Sequence, residues 1–234
     1  MNKASIFCFP FAGGSASSFN CWKRLPAPFV DIVPLEYSGH GWRMKERLYC
    51  SVNEAAEDMA KTIIASNCDN YLLLGYSYGS LVALETAYLL RDFQHSPRAL
   101  IVAAQRPPHL LRKDKLFNLN DERKLMDAVI SLGHIPEEIL ACPEFINLYS
   151  EIICADIIAT QRHIHNSTLG RLDIPVYAFR GVDDEETPRE DMEQYKYYTE
   201  SLCKVLDIEG DHFFAFDKNE EFLETLGVVL SELC

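Results

Sequence analysis

The sequence predicts an α/β protein built on a mainly parallel sheet covered by helices, with an all-helical insertion late in the chain. Three observations carry that prediction. Short apolar runs alternate with amphipathic stretches through most of the 234 residues. One run, Tyr71-Leu72-Leu73-Leu74, leads through Gly75-Tyr76-Ser77-Tyr78-Gly79 directly into a helical pattern. Between Pro107 and Leu172 the alternation stops and no convincing strand appears.

Taken in order, strands are expected at Ser5–Phe9, Asp31–Leu35, Tyr71–Leu74, Ala99–Ala103, Val176–Arg180 and Lys204–Ile208. Helices are expected at Asn53–Ala65, Gly79–Arg91, Arg189–Ser201 and Glu220–Glu232. In the first of these, Ala56, Met59, Ala60, Ile63 and Ile64 recur at helical spacing. The interrupted region reads as three helical stretches: Asn118–Leu132 behind an Asn/Asp cap, a short Pro136–Ala141, and Pro143–His165 opening on a proline suited to a first turn. In the last of these, Phe145, Ile146, Leu148, Tyr149, Ile152, Ile153, Ile157 and Ile158 are apolar around most of the circumference. Such a helix must be buried or must cover something. The chain is expected to divide into a core of residues 1–106 and 171–234 and a helical lid of residues 107–170, with a small packed subdomain that takes no ligand as the alternative reading of the insertion.

Composition narrows the function classes. The length suits one sizeable core, and no apolar run reaches the roughly 20 residues needed to cross a bilayer, so no membrane association is expected. Ser5-Ile6-Phe7-Cys8-Phe9 ends at Pro10 and reads as a first strand, not a signal peptide. Cysteines at 8, 21, 50, 68, 142, 154, 203 and 234 form no C-x-x-C pair, which points to reduced thiols and a cytoplasmic setting. A net charge of −13 argues against nucleic acid. An acidic protein partner would need a local basic patch, for which Arg43/Lys45/Arg47 and Arg106/Arg112/Lys113/Lys115 are candidates beside the plainer reading of solvated surface charge. A monomer is the default expectation.

The stretch Gly75–Gly79 matches G-x-S-x-G between a strand and a helix, where a sharp turn presents the serine, and it makes Ser77 a candidate nucleophile. The flanking glycines have a steric reason to be there, because that turn brings neighbouring backbones close. A serine hydroxyl needs a base, itself held by a third group. His212, in Gly210-Asp211-His212-Phe213-Phe214, lies beyond a late strand and after an acidic loop, and is the base this order favours; His40 precedes the serine. Among Asp183, Asp184, Glu185 and Glu186, Asp184 closes a G-x-x-D turn and is preferred as the acid, with Asp183 the alternative and the other carboxylates read as solvated. Asp211 would have difficulty folding back onto its neighbour's ring. His163 and His165 lie two apart on the expected helix and so point apart, which argues against a metal site. Oxyanion donors are expected from the Tyr78 N–H and from Phe11 or Ala12 in Phe9-Pro10-Phe11-Ala12-Gly13-Gly14, a loop without the G-x-G-x-x-G of a dinucleotide site. No cofactor or metal is called for.

With these residues in hand, the chain resembles the type II thioesterases of polyketide and non-ribosomal peptide synthesis, a branch of the α/β-hydrolase fold. The resemblance rests on Phe9-Pro10-Phe11-Ala12-Gly13-Gly14-Ser15-Ala16-Ser17, Gly39-His40-Gly41-Trp42-Arg43, the serine turn, Ala155-Asp156, Gly181–Asp184 and Gly210–Phe214, and spans almost the whole chain. It implies hydrolysis of acyl or aminoacyl thioesters from the phosphopantetheine arm of acyl- or peptidyl-carrier proteins, clearing stalled or incorrect intermediates. The residues it implies are Ser77, Asp184 and His212, with the Ala12 and Tyr78 amides as oxyanion hole. A small-molecule carboxylesterase, a product-releasing thioesterase and a non-catalytic carrier-binding scaffold are the alternatives. Tyr76 and Tyr78 stand where the family usually has His and Met or Leu, and Cys154 stands where it usually has Arg.

Overall fold

The computed structural model describes residues 3–113, 143–216 and 220–234. Six strands, β1 (Ala4–Phe9), β2 (Val30–Pro34), β3 (Tyr71–Tyr76), β4 (Leu100–Ala103), β5 (Val176–Gly181) and β6 (Cys203–Ile208), form one sheet in the order β2-β1-β3-β4-β5-β6. Every pairing is parallel, so the crossover connections must run over the faces. Each expected strand is present with ends shifted by no more than two residues. The fold is that of the α/β hydrolases.

Strand alternation sorts the core onto the two faces. Phe7, Phe9, Leu73 and Val102 project to one side, against α1 (Val52–Ala65) and α2 (Tyr78–Asp92). Ile6, Cys8, Leu72, Leu74, Ile101 and Phe179 project to the other, against a 3-10 helix at Ala16–Arg24 and the C-terminal helix Glu220–Leu233. α1 starts where Ser51 accepts the Glu54 N–H, and it buries Ala55, Ala56, Met59, Ala60 and Ile63. Ile64, expected on that stripe, lies at its exposed margin.

Two expectations need correction. The helix expected over Arg189–Ser201 is a single α-turn, Arg189–Met192, followed by a 3-10 helix at Glu193–Tyr197. The helix beginning at Pro143, called α3 here (Pro143–Arg162), ends before His163, so His163 and His165 do not sit on a helix and do not point apart. Both reach Glu85 of α2: His165 Nδ1 lies 2.7 Å from Glu85 Oε1, and His163 Nε2 lies 3.0 Å away but off hydrogen-bond alignment. Burial opposes the Glu85 charge, yet the two imidazoles outweigh it and hold that carboxyl below its usual range.

The stretches Asn118–Leu132 and Pro136–Ala141 lie outside the described residues. α3 packs against α1 and α2 and buries Ile153, Cys154, Asp156, Ile157 and Ala159, while Leu148 stays exposed. Among the described residues no disulfide is formed, and no helix is long and apolar enough to cross a membrane.

Candidate active site

Four loops meet at the carboxyl ends of β1, β3, β5 and β6, where parallel sheets of this kind gather their sites. Ser77 sits on the turn from β3 into α2 with φ +50° and ψ −122°, a backbone conformation that L residues rarely adopt. Neighbouring backbone makes this turn possible only with glycine on either side. A Cβ on Gly75 would lie 2.2 Å from the Gly79 carbonyl oxygen, and one on Gly79 would lie 2.2 Å from that of Phe9. Beneath the turn, the Ser77 N–H donates to Ala103 O at 2.8 Å, and Ser80 Oγ accepts the Ala103 N–H at 3.1 Å. Ser77 also occupies the N-cap of α2 without capping it, so the first N–H groups of the helix, Tyr78's included, lack intrahelical acceptors and face the serine end.

The sequence-predicted partners converge on this serine. His212 Nε2 lies 3.1 Å from Ser77 Oγ, and His212 Nδ1 lies 2.9 Å from Asp184 Oδ2. Of the acidic run only Asp184 reaches the imidazole: it is buried, whereas Asp183 and Glu185 are exposed. Asp184 also accepts the Thr187 hydroxyl on Oδ2 at 2.8 Å and the Glu186 N–H on Oδ1 at 2.9 Å. Burial works against its charge, but His212 and these two donors outweigh it and hold the carboxyl below its usual range. With Asp184 ionised, the proton on Nδ1 is fixed and Nε2 is left to accept from the serine.

Glu186 is not the solvated charge expected of it. Arg106, itself buried, holds Glu186 Oε2 at 3.0 Å and Asp191 Oδ2 at 2.9 Å, and so braces the acid loop from below. The same contacts remove Arg106 from any surface patch. Arg43 is likewise engaged by Glu46 and Asp58, and Arg47 by Glu54, so these basic residues have acidic partners within the chain. Arg112, Lys113 and Lys115 have side chains outside the described residues.

Facing the serine turn is the loop after β1. Gly14 N–H donates to Phe11 O at 2.8 Å, and Gly13 has φ +74°, which makes Phe11–Gly14 a tight turn with glycine where a positive φ is needed. Among the described residues the Ala12 N–H meets no acceptor. The Gly13 N–H does: it donates to Asp156 Oδ2 of α3 at 2.8 Å, and that same oxygen lies 3.0 Å from His40 Nε2. In the sequence Asp156 stands only within the Ala155-Asp156 pattern and His40 only as a motif residue and a rival base to His212; neither pattern shows this contact. Tyr76, in the sequence a departure from the family pattern, also has a part here. Its hydroxyl donates to the His212 carbonyl at 2.7 Å, and its ring packs among Phe11, Phe213, Phe214 and Phe216.

Fold and constellation together define an α/β hydrolase of the serine type. The model of the thioesterase domain family matches residues 4–229, and the chain belongs to that family. AngT of Vibrio anguillarum, described as a probable anguibactin biosynthesis thioesterase, is 24% identical over 232 residues, spanning 97% of this chain and 91% of the relative. The structure of RedJ, a thioesterase from the prodiginine biosynthetic pathway of Streptomyces coelicolor, is 29% identical with a TM-score of 0.87, spanning 96% of this chain and 89% of that one. ClbQ from the colibactin NRPS/PKS pathway superposes with a TM-score of 0.89 over 99% of this chain and 98% of its own. At 23% identity that likeness is one of fold.

Proposed function

We propose that this thioesterase hydrolyses acyl or aminoacyl thioesters carried on the phosphopantetheine arm of carrier proteins, clearing stalled or incorrect chains in polyketide or non-ribosomal peptide synthesis. The observation that carries the proposal is the continuous line Ser77 Oγ, His212 Nε2, His212 Nδ1, Asp184 Oδ2, set on a strained turn at a helix N-terminus. The biosynthetic settings named for AngT and RedJ support the carrier-bound substrate.

In this mechanism Ser77 Oγ attacks the thioester carbonyl carbon while His212 Nε2 takes the serine proton, and Asp184 stabilises the imidazolium that forms. The tetrahedral oxyanion is met by the Tyr78 and Ala12 N–H groups. Collapse breaks the carbon–sulfur bond, and His212 returns its proton to the departing thiolate of the arm. Water, deprotonated by His212, then attacks the Ser77 ester; the second tetrahedral intermediate releases the carboxylic acid and restores the serine hydroxyl. α3, the described helix of the segment read as a lid, reaches the oxyanion loop through Asp156.

Ser77→Ala tests the nucleophile. Its turnover of an acyl-loaded carrier protein should drop on the order of 10³-fold or more with the fold retained; full turnover overturns the reading. Comparison of the loaded carrier with the same acyl group on N-acetylcysteamine tests the substrate, because a carrier-directed enzyme gains strongly from the protein portion and a small-molecule esterase does not.

A further inference from the structure

The contact between α3 and the oxyanion loop is built on a buried histidine–carboxylate pair, His40 and Asp156. His40 and Asp156 are 1% and 2% exposed, and His40 faces an acceptor on each nitrogen: Ser38 O lies 3.0 Å from Nδ1 and Asp156 Oδ2 lies 3.0 Å from Nε2. Asp156 Oδ2 also accepts the Gly13 N–H, so the geometry around both ring nitrogens suits a doubly protonated imidazolium. The other groups around the pair agree with that charge. Glu36 adds a second carboxylate near His40 while its own oxygens accept the Ala16 and Trp42 N–H groups, and the Tyr37 ring lies edge-on at 5.6 Å. The phenols of Tyr37, Tyr78 and Tyr149 surround Asp156 and supply no competing cation. Burial disfavours the charged ring, but Asp156, the Ser38 carbonyl and Glu36 outweigh it and leave the imidazole pKa above its ordinary value.

A buried ion pair contributes little net stability compared with apolar side chains of the same size. What apolar side chains cannot do is accept the Gly13 N–H. That group belongs to the peptide joining Ala12 to Gly13, and holding it fixes one side of the residue whose own N–H meets no acceptor among the described residues. The loop is also pressed against α3, since a Cβ on Gly13 would lie 3.1 Å from Ile153 Cβ and 3.2 Å from Tyr149 Cζ.

We infer that His40 and Asp156 are positioning residues for the thioesterase reaction, an imidazolium–carboxylate clamp that holds the Ala12 amide in the oxyanion hole and ties that donor to the seat of α3. The inference rests on the catalytic reading above. Displacing a catalytic group by about 1 Å can cost about 100-fold, so Asp156→Ala should lower kcat by about 10- to 100-fold with KM within about 3-fold. Asp156→Asn, which keeps an oxygen for Gly13, should retain more of the rate. The probe is acetyl-N-acetylcysteamine, which has no carrier protein to lose. Nitrogen-15 NMR of the wild-type protein at about pH 7 should show both His40 ring nitrogens protonated. His40→Gln, which keeps one donor toward Asp156 without charge, should lower kcat less than Asp156→Ala. A bare His40 nitrogen in the wild type, or unchanged kcat in a folded Asp156→Ala, overturns the clamp; should that variant not fold, the NMR signature and His40→Gln decide. Turnover by Ser77→Ala would instead overturn the catalytic reading itself, so the two failures are distinct.

Discussion

The Tyr76 hydroxyl donates to the carbonyl oxygen of His212 across 2.7 Å, so the residue before the proposed nucleophile carries the backbone of the proposed base. Tyr76→Phe removes that bond and keeps the ring among its aromatic neighbours. Stability should fall by about 1 kcal/mol, and kcat should fall several-fold at constant KM as the imidazole loses its support. Denaturant titration and steady-state kinetics check the two halves separately. An effect on stability alone would make Tyr76 a core residue only.

Asp184→Asn and Asp183→Asn should separate sharply. An asparagine at 184 permits the wrong imidazole tautomer and should cost about 10⁴-fold in kcat, as in serine triads generally. At the exposed position 183 the change should stay within about 2-fold. Inactivation by the second variant alone would reassign the acid.

Tyr78 contributes its backbone N–H to the proposed chemistry, while its side chain is buried against the Tyr37 ring with a hydroxyl that meets no partner among the described residues. Removing an unsatisfied buried hydroxyl relieves its desolvation cost. Tyr78→Phe should therefore leave stability unchanged or raise it by about 1 kcal/mol, measured by thermal unfolding. A loss of that size would show that the hydroxyl is satisfied in solution.

Asp184 and His40 work at opposite ends of the pH scale. Asp184 is held below its ordinary range, so its contribution is complete above the unfolded carboxylate pKa and lost as pH falls through the depressed value. His40 is held above its ordinary value, so its contribution is complete below the unfolded imidazole pKa and lost as pH rises through the raised one. The difference in Tm between wild type and His40→Gln should be largest near about pH 5 and should narrow toward about pH 9. A constant difference would mean that His40 does not titrate there.

Strands and the serine turn were legible because both are local. Apolar runs bounded by turn residues place all six strands, and Gly75 and Gly79 mark the two points where backbone crowds the turn. The 3-10 helix at Ala16–Arg24 was not legible, since Phe19 and Trp22 are its only large buried side chains and polar residues lie between them. Interactions between distant residues left still less trace. Nothing local distinguishes Glu186, which reaches Arg106, from Asp183, which stays exposed. His163 and His165 escape the helical pattern because the helix ends at Arg162, three residues before the expected His165, and beyond that end alternate residues converge on Glu85. His40 reads in the sequence as a motif residue and a rival base, yet its neighbour across 116 residues of chain is a carboxylate that no spacing rule finds.

The close approach of Gly79 to the Phe9 and Pro10 carbonyls has a consequence for refolding. It presses the first turn of α2 onto the end of β1, so the serine turn closes only when β1 lies beside β3 in the register that pairs Phe9 with Gly75. A slip of one residue would drive a carbonyl into that space or leave it void. Reactivity of Ser77 toward a small electrophile should thus recover late, together with the central strand pairing, and partly assembled chains should remain unlabelled.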